Sequence, residues 1–255
     1  MSEVGDQRDT APERDPLWVK ALTSLQVTGS MLFISAQTMV DAFRGKLTRE
    51  ASDQRLAWWS ERVVRDAKVD LRVEGRENLD TRETFVIMSN HQSHFDVPLL
   101  FKAISPSMRM VAKTELFRVP IWGAAMHESG FIEVDRANHE RAITSMKLAA
   151  EKIRSGIHVW IAPEGTRSKT GKLGNFKKGG FVLALDTATR ILPVGVSGTR
   201  DILPVSTMLA HRGKTVAVVI GKPIDIEGKT RDELLAETRD AIAALMTRAD
   251  ELRSR

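Results

Sequence analysis

The chain has 255 residues, 42% of them hydrophobic, which is enough for one globular domain with a continuous core. It contains no cysteine, and this excludes disulfides, thiolate metal sites and a cysteine nucleophile. Its formal net charge of +5 favours an anionic partner, which is nucleic acid, an acidic membrane surface or a phosphorylated small molecule.

The N-terminal part of the chain predicts a tail followed by two helices. Residues 1–16 mix both charge signs without an apolar run, so we predict a disordered tail and no signal peptide. The segment 17–43 is apolar but is interrupted by polar side chains too often for a clear membrane-spanning helix. Trp58 and Trp59 lie among arginines, a composition suited to the boundary between lipid headgroups and acyl chains. We predict a helical membrane-associating segment over 17–69; the alternative is two amphipathic helices that simply pack on the domain.

From residue 70 onward, short runs rich in Val, Ile and Phe alternate with longer helical patterns, which is typical of an α/β domain. The predicted strands are Val69–Glu74, Thr84–Ser89, Arg109–Lys113, Phe131–Val134, His158–Ala162, Ile191–Ser197 and Thr215–Ile220. The predicted helices include Val97–Ile104, His139–Ser155, Gly179–Thr187 and Arg231–Arg253. We therefore predict one α/β domain over 70–255, with a mixed, largely parallel central sheet flanked by helices.

Polar groups gather after the strand that is predicted to end at Ser89, where the sequence reads NHQSHFD. Strand ends are the usual place for function in α/β sheets. Residues five apart on a regular helix point about 140° apart, so His91 and Asp96 meet only if a turn folds one back on the other. Ser93 can cap a helix start and supply that turn. A carboxylate on one ring nitrogen would make His91 a better base toward a hydroxyl, whereas a helix-capping aspartate beside a surface histidine is the alternative.

A second polar segment, PEGTR at 163–167, also follows a predicted strand and leads into SKTGKLGNFKKGG. Its glycines let the backbone bend closely around a ligand, and its cations offer positive charge. This composition indicates a phosphate site. Arg167 lies at the strand exit and can contact a phosphate through two N–H groups, whereas Lys169 and Lys172 individually fit a solvated loop.

Two more cations follow predicted strand ends, namely Lys113 in VAKTEL and Arg136 in FIEVDR. Glu115 is an alternative local partner for Lys113. Asp135 and Glu133 are alternative local partners for Arg136. Because one cation can pair with a local carboxylate and with a ligand phosphate, the cations at the strand exits together favour a phosphate-bearing ligand.

Four blocks in this order resemble the glycerolipid acyltransferases, specifically the 1-acyl-sn-glycerol-3-phosphate acyltransferases. The blocks are NHQSHFD (90–96), GFIEVDR (130–136), PEGTR (163–167) and ILPVGV (191–196). The similarity covers roughly 71–220. The second block departs from the family pattern, in which Asp-Arg usually follows Phe-Ile, because Glu133 and Val134 intervene.

The resemblance implies an acyltransferase domain over 70–255 that acylates the sn-2 hydroxyl of 1-acyl-sn-glycerol 3-phosphate (lysophosphatidic acid) to give phosphatidic acid. It implies His91 as the general base and Asp96 as the residue that orients it. The phosphate-binding residues that it implies are Lys113, Arg136, Glu164, Gly165, Thr166 and Arg167. It also implies Pro193 in the acyl or acceptor pocket, acyl-CoA or acyl carrier protein as the donor, and no metal.

Members of this family also tend to carry an N-terminal pair of helices embedded in one face of the bilayer, which implies the same for 17–69. We therefore expect a peripheral or monotopic protein on an anionic membrane surface, with its catalytic domain on the cytoplasmic face. Attack on a thioester carbonyl creates an oxyanion, and we expect backbone amides near PEGTR to stabilise it.

Other functions stay open at this point. The same blocks occur in relatives that acylate glycerol 3-phosphate or other lysolipids. His91, His94 and Asp96 also have the ligand types of a zinc or iron hydrolase, although no complete ligand set accompanies them. A noncatalytic protein that binds anionic lipid is a further alternative. Nucleic acid is disfavoured, because five Trp, nine Phe and no Tyr leave little for base stacking.

Overall fold

A computed structural model of the chain describes residues 15–80, 82–104, 107–135 and 138–255. The strands are β1 (Asp70–Glu74), β2 (Val86–Ser89), β3 (Met108–Lys113), β4 (Ile132–Val134), β5 (His158–Ile161), β6 (Ile191–Ser197) and β7 (Thr215–Ile220). They form one sheet in the order β1-β7-β6-β2-β5-β3-β4.

Five of these strands, β2 to β6, run in the same direction. β7 is antiparallel to β6, and β1 pairs with β7 in parallel. The sheet is thus mixed and largely parallel, as predicted. Because β2 to β6 are parallel, their carboxyl ends meet at one edge, and every predicted site segment follows one of these strands or lies within it.

The helices are α1 (Leu17–Phe43), α2 (Arg49–Asp66), α3 (Asp96–Ala103), α4 (Thr114–Phe117), α5 (Trp122–Glu128), α6 (His139–Arg154), α7 (Gly179–Asp186), α8 (Thr199–Ile202) and α9 (Arg231–Arg253). A short 3-10 turn occupies Arg76–Asn78. All predicted strands and the four predicted helices of the sheet domain are present within two residues of their expected bounds. The three short helices α4, α5 and α8 were not predicted.

Alternation along β2 assigns the helices to the two faces of the sheet, because successive strand residues point to opposite faces. Ile87 is fully buried on one face, in a cluster with Leu100 of α3. Met88 is fully buried on the other face, in a cluster with Phe181 of α7. Helices therefore cover both faces, which explains why the central strands read as continuous apolar runs.

Helix α2 is attached to the sheet domain by core packing, by an ion pair and by hydrogen bonds. Its Leu56 belongs to the same core cluster as Ile87. Asp53 of α2 lies 2.8 Å from the Arg109 guanidinium on β3, and that arginine is almost fully buried. Arg49 donates to the carbonyl oxygens of Ser155 and Gly156, at 2.9 and 2.7 Å. Helix α2 therefore packs as part of the core. The boundary between a membrane-associating segment (17–69) and an acyltransferase domain (70–255) stays a prediction.

Helix α1 packs on α2 and α5 and leaves many large apolar side chains exposed. These are Leu17, Trp18, Leu22, Leu25, Leu32, Phe33, Val40 and Phe43. By length and composition α1 is long and apolar enough to cross a membrane, although its polar residues had argued against a clear membrane-spanning helix. Length and composition fit a spanning helix and a helix that lies in the membrane surface equally well.

The predicted tail 1–16 lies for the most part outside the described residues, since the description begins at Asp15. The Asp15 carboxylate accepts the backbone N–H of Arg212 at 3.0 Å. Pro16 directly precedes the first turn of α1. The last two residues of the predicted tail therefore belong to the folded part of the chain.

His158, the first residue of β5, gives a prediction about stability and pH. Its Nδ1 accepts the N–H of Phe85 at 3.1 Å, and the two rings stack with their centroids 5.8 Å apart. Burial, with the nearby charge of Arg49, lowers the pKa of His158 from its ordinary value of 6.5. The folded state therefore favours the neutral ring, whose contribution to stability is complete above this ordinary pKa and is lost as the pH falls below it.

We expect a His158→Asn variant, which keeps an acceptor but does not titrate, to lose less unfolding free energy than the natural chain between about pH 7.5 and pH 5. Urea unfolding at both pH values measures this difference. Equal pH dependence in the two proteins would contradict the assignment.

Candidate active site

Asn90 directly follows β2 and fixes the start of the turn that carries His91. Its side-chain amide donates to the carbonyl oxygen of Val196 on β6, and its side-chain oxygen accepts the N–H of the same residue, both at 2.8 Å. The side chain thereby takes the place of a strand neighbour. The chain can leave the sheet at this point without losing its registration against β6.

The turn after Asn90 brings His91 and Asp96 together. His91 Nδ1 lies 2.6 Å from Asp96 Oδ2, and the same oxygen accepts the backbone N–H groups of Gln92 and Ser93, at 2.7 and 3.0 Å. Asp96 is the first residue of α3 and is fully buried. The predicted turn is present, and Ser93 takes part in it as expected, because its hydroxyl oxygen accepts the N–H of Phe95 at 3.2 Å at the start of α3. The Asp96 carboxylate adds to this by accepting the two amides of the turn. The Ser93 hydroxyl also donates to the carbonyl of Leu203, at 2.9 Å.

This geometry sets the chemistry of the His91 ring. A carboxylate at Nδ1 holds the proton there, so Nε2 carries the lone pair and can accept a proton from a hydroxyl. The ring meets the Trp160 ring edge-on with the centroids 5.7 Å apart, and the Trp160 N–H is bonded to Ser89 at 3.0 Å. His91 is therefore held on two sides in one orientation.

The loop that follows β5 grips the backbone of His91. Glu164 is buried, and its Oε1 accepts the His91 N–H at 3.2 Å while its Oε2 accepts the Gly174 N–H at 2.7 Å. The Ser168 N–H donates to the His91 carbonyl at 2.7 Å. Both oxygens of Glu164 are thus engaged by backbone amides. Glu164 thereby links the turn that carries His91 to the loop that follows β5.

Two positive groups lie near the ring of His94, at the same edge of the sheet as His91. Lys113 is exposed at the end of β3, and Arg167 is half-buried without a hydrogen bond or ion pair to any other described residue. Desolvation and the charges of Arg167 and His91 lower the pKa of His94 to about 4, and Lys113 acts in the same direction. His94 is therefore neutral at neutral pH, and these cations lie close enough to influence one ring.

The remaining predicted residues fall in three places. Gly165 takes a φ of +73°, which favours glycine and lets the PEGTR loop reverse, while Thr166 is exposed beside it. Pro193 lies inside β6, opposite Met88 and four residues before the end of the strand, so the structure does not bring it to the edge where His91 lies. Arg136 lies outside the described residues.

No group of three or more acidic or histidine side chains in the described part of the chain is arranged to hold a metal ion. The predicted hydrolase ligands His91, His94 and Asp96 illustrate the reason. The Asp96 oxygen nearest His91 is already taken up by the ring and two amides. The geometry therefore favours a base and its orienting carboxylate over a ligand set.

Residues 70–197 match the family model named Acyltransferase, and this range contains all four sequence blocks. The chain belongs to this acyltransferase family. It is 37% identical over 177 residues to a chloroplastic 1-acyl-sn-glycerol-3-phosphate acyltransferase from Arabidopsis thaliana, covering 69% of this chain and 49% of that protein. It is 33% identical to a 1-acyl-sn-glycerol-3-phosphate acyltransferase from Pseudomonas aeruginosa, covering 77% of this chain and 71% of that protein.

The fold of the chain also matches a solved structure. The crystal structure of the 1-acyl-sn-glycerophosphate acyltransferase PlsC from Thermotoga maritima has a TM-score of 0.78 and 26% identity, covering 94% of this chain and 96% of that one. The chain spans about half the length of the plant relatives that it matches, 49% and 50%. The predicted family and fold are confirmed.

Two arginines that support the candidate site were not predicted from the sequence. Arg239 of α9 donates to the carbonyls of Gly174 and Leu173, and its guanidinium lies 5.5 Å from the centre of the Phe176 ring. Arg200 of α8 donates to the carbonyl of Lys169 at 2.9 Å. Both hold the loop that contains Glu164 from outside. No local pattern marks them, because their partners lie far away along the chain.

Proposed function

We propose that this acyltransferase moves a fatty acyl group from a thioester to the sn-2 hydroxyl of 1-acyl-sn-glycerol 3-phosphate, giving phosphatidic acid. The observation that carries the proposal is the 2.6 Å contact between His91 Nδ1 and Asp96 Oδ2 at a strand edge that Lys113 and Arg167 make positive. The pair supplies a base for a hydroxyl, and the cations supply a reason for a phosphate-bearing acceptor. The printed names of the relatives support the same acceptor.

The chemistry needs the transfer of a proton to His91, its later return, and one substitution at carbon. His91 Nε2 accepts the proton of the acceptor hydroxyl as the oxygen forms a bond to the thioester carbonyl carbon. Asp96 stabilises the imidazolium that results. The tetrahedral intermediate then collapses, the carbon–sulfur bond breaks, and the thiolate leaves. The thiolate needs little help from an acid, and His91 returns its proton to the leaving thiolate or to solvent.

Backbone amides of the PEGTR loop are our proposal for the oxyanion donors. The Gly165 N–H is bonded to the carbonyl of Ala162 at 3.0 Å. The N–H groups of Thr166 and Arg167 have no hydrogen bond to another described residue and follow directly in the loop. These two amides are therefore the donors that we assign to the developing negative charge.

The phosphate of the acceptor is assigned to Lys113, Arg167 and the PEGTR loop, with Arg136 kept as a prediction. Membrane association is assigned to the exposed apolar side chains of α1, which fit a surface in contact with lipid better than a surface in contact with water. The donor is acyl-CoA or acyl carrier protein, and the cytoplasmic orientation stays a prediction. An acceptor that resides in a bilayer requires an enzyme at its surface.

The proposal is tested by incubating the purified full chain with oleoyl-CoA and, in separate reactions, lysophosphatidic acid or glycerol 3-phosphate, followed by mass spectrometry of the products. We expect phosphatidic acid from the first acceptor and little product from the second. A second set with oleoyl-acyl carrier protein identifies the donor. Acylation of glycerol 3-phosphate alone would show that the acceptor is wrong, and no acylation with either donor would show that the activity is wrong.

Arg167→Ala is expected to raise KM for lysophosphatidic acid by about 10- to 100-fold while kcat changes less, because a charge-assisted hydrogen bond contributes about 1.5–3 kcal/mol. Lys169→Ala on the same loop is the matched control, since Lys169 is exposed. Steady-state kinetics at varied acceptor concentration measure both variants. Equal effects of the two substitutions would argue against a specific phosphate contact by Arg167.

Glu164→Gln separates two roles for this residue. If Glu164 positions His91, the new amide NH₂ faces a backbone N–H, and the misfit costs about 1–3 kcal/mol, seen as a lower kcat and a lower Tm. If it acts through the phosphate site, KM changes instead. We expect the first result, since both carboxylate oxygens are bonded to amides.

Gly174→Ala tests the same contact without changing the charge of the loop. A Cβ atom at Gly174 would lie 2.9 Å from Glu164 Oε2 and would displace the carboxylate. We expect it to lower kcat in the same way as Glu164→Gln. A normal kcat in both variants would contradict the positioning role.

A further inference from the structure

The loop between α4 and α5 presents apolar side chains to the outside of the protein. The consecutive residues Arg118, Val119, Pro120 and Ile121 are all exposed, with Val119 at 39% and Ile121 at 54%. Surface loops are usually built from polar and turn-forming residues. An apolar tip of this kind marks a contact with a partner or a membrane.

The backbone of this tip is strained in a way that faces Ile121 outward. Ile121 has φ +66° and ψ −57°, and the Trp122 N–H donates to the Pro120 carbonyl at 2.7 Å. These values describe a γ-turn of the rare kind with positive φ. β-Branched residues seldom adopt positive φ, and such outliers persist where the surrounding structure holds them. Glycine or asparagine would fit the backbone better, so an exposed isoleucine here calls for an explanation in function.

The position of the tip, next to the helix that packs on α1, favours a membrane as its partner. α5 begins directly after Ile121 and packs against α1, the helix with the exposed apolar side chains. α4 begins directly after Lys113, at the edge where the site lies. The tip therefore joins the helix that follows Lys113 to the helix that packs against α1. Arg118 beside it suits anionic headgroups.

We propose that the tip formed by Val119, Pro120 and Ile121 inserts into the same lipid leaflet as α1, as a membrane contact supplied by the catalytic domain itself. The inference rests on the proposed membrane association of α1. With α1 and the tip in one leaflet, the sheet edge that carries His91 would lie at the lipid surface. A single-chain lipid could then reach His91 without leaving the bilayer. The alternative is that acyl carrier protein, rather than lipid, binds the tip.

The chain contains no cysteine, so one introduced thiol can be labelled without background. A polarity-sensitive fluorophore is attached to Ile121→Cys, to Phe33→Cys on α1, and to Ile143→Cys on α6. Ile143 is the matched control because it is an isoleucine with 46% exposure. Each labelled full chain is mixed with vesicles of phosphatidylcholine and phosphatidylglycerol.

We expect a blue shift and a gain in intensity at positions 121 and 33, and neither at 143. A response at 33 without one at 121 would overturn the inference and leave the membrane association of α1 intact. No change in fluorescence at any of the three positions would overturn both the inference about the tip and the membrane association of α1. A response at 121 to acyl carrier protein, with none to vesicles, would assign the tip to the donor and overturn the inference.

Unlabelled variants give a second readout. Ile121→Asn removes the apolar side chain, and asparagine tolerates positive φ better than isoleucine does. We expect its vesicle binding constant to fall about 3- to 10-fold through the loss of one buried apolar side chain, while Ile143→Asn binds like the natural chain. Equal binding by the two variants would contradict the inference.

Discussion

Asp96→Asn is expected to lower kcat for phosphatidic acid formation by about 10²- to 10⁴-fold, with the fold retained. In the natural chain one carboxylate oxygen binds the His91 ring and two backbone amides at once. An amide in its place carries no negative charge to stabilise the imidazolium. Its NH₂ group can also face Nδ1, which would leave the proton on Nε2 and remove the base.

The matched control is Asp232→Asn, since Asp232 also lies in the first turn of a helix but is exposed, in α9. Steady-state kinetics and circular dichroism of both variants separate catalysis from folding. A kcat for Asp96→Asn within about threefold of the natural value would remove the pair from the mechanism.

Asp53→Ala is expected to have the largest effect on stability, a loss of about 3–5 kcal/mol in the free energy of unfolding. The substitution removes the carboxylate that lies 2.8 Å from the Arg109 guanidinium, which is only 2% exposed. Burial lowers the pKa of Arg109 from its ordinary value even with Asp53 beside it, which shows how far this charge is desolvated. A buried charge without its partner is more costly than the absence of the pair.

The control for Asp53→Ala is the double variant Asp53→Leu with Arg109→Met, which replaces both charges by apolar side chains. We expect it to recover most of the lost stability, because a buried pair contributes little net free energy compared with well-packed apolar groups. Urea unfolding of the three proteins measures the difference. A single variant as stable as the natural chain would show that the pair does not fasten α2 to the sheet.

Sequence patterns predicted the strands well where burial alone decides them. β6 and β7 have the predicted bounds, because uninterrupted apolar runs bounded by polar or glycine-rich segments fit buried strands on both faces. α4, α5 and α8 escaped prediction because they are short and carry no repeated apolar face. The reversal of β7 relative to β6 was not predicted either, since nothing local in the sequence encodes strand direction.

The site was predictable in its residue types and less so in its contacts. The turn that joins His91 to Asp96 was foreseen from their spacing, yet the amides that hold Asp96 were not. Glu164 was assigned to the phosphate from the family pattern, and the structure shows its oxygens bonded to the amides of His91 and Gly174. Such contacts join residues that are distant along the chain, so no local sequence pattern predicts them.

The central claim is that a base at His91 acts on a hydroxyl whose molecule also carries a phosphate. The most direct test compares kcat/KM for lysophosphatidic acid with kcat/KM for the same lipid without its phosphate, in the same vesicles and with the donor found active. We predict a preference of about tenfold or more for the phosphate-bearing lipid, because neither Lys113 nor Arg167 has an ion pair with another residue in the described part of the chain. An equal or higher value for the phosphate-free lipid would contradict the account.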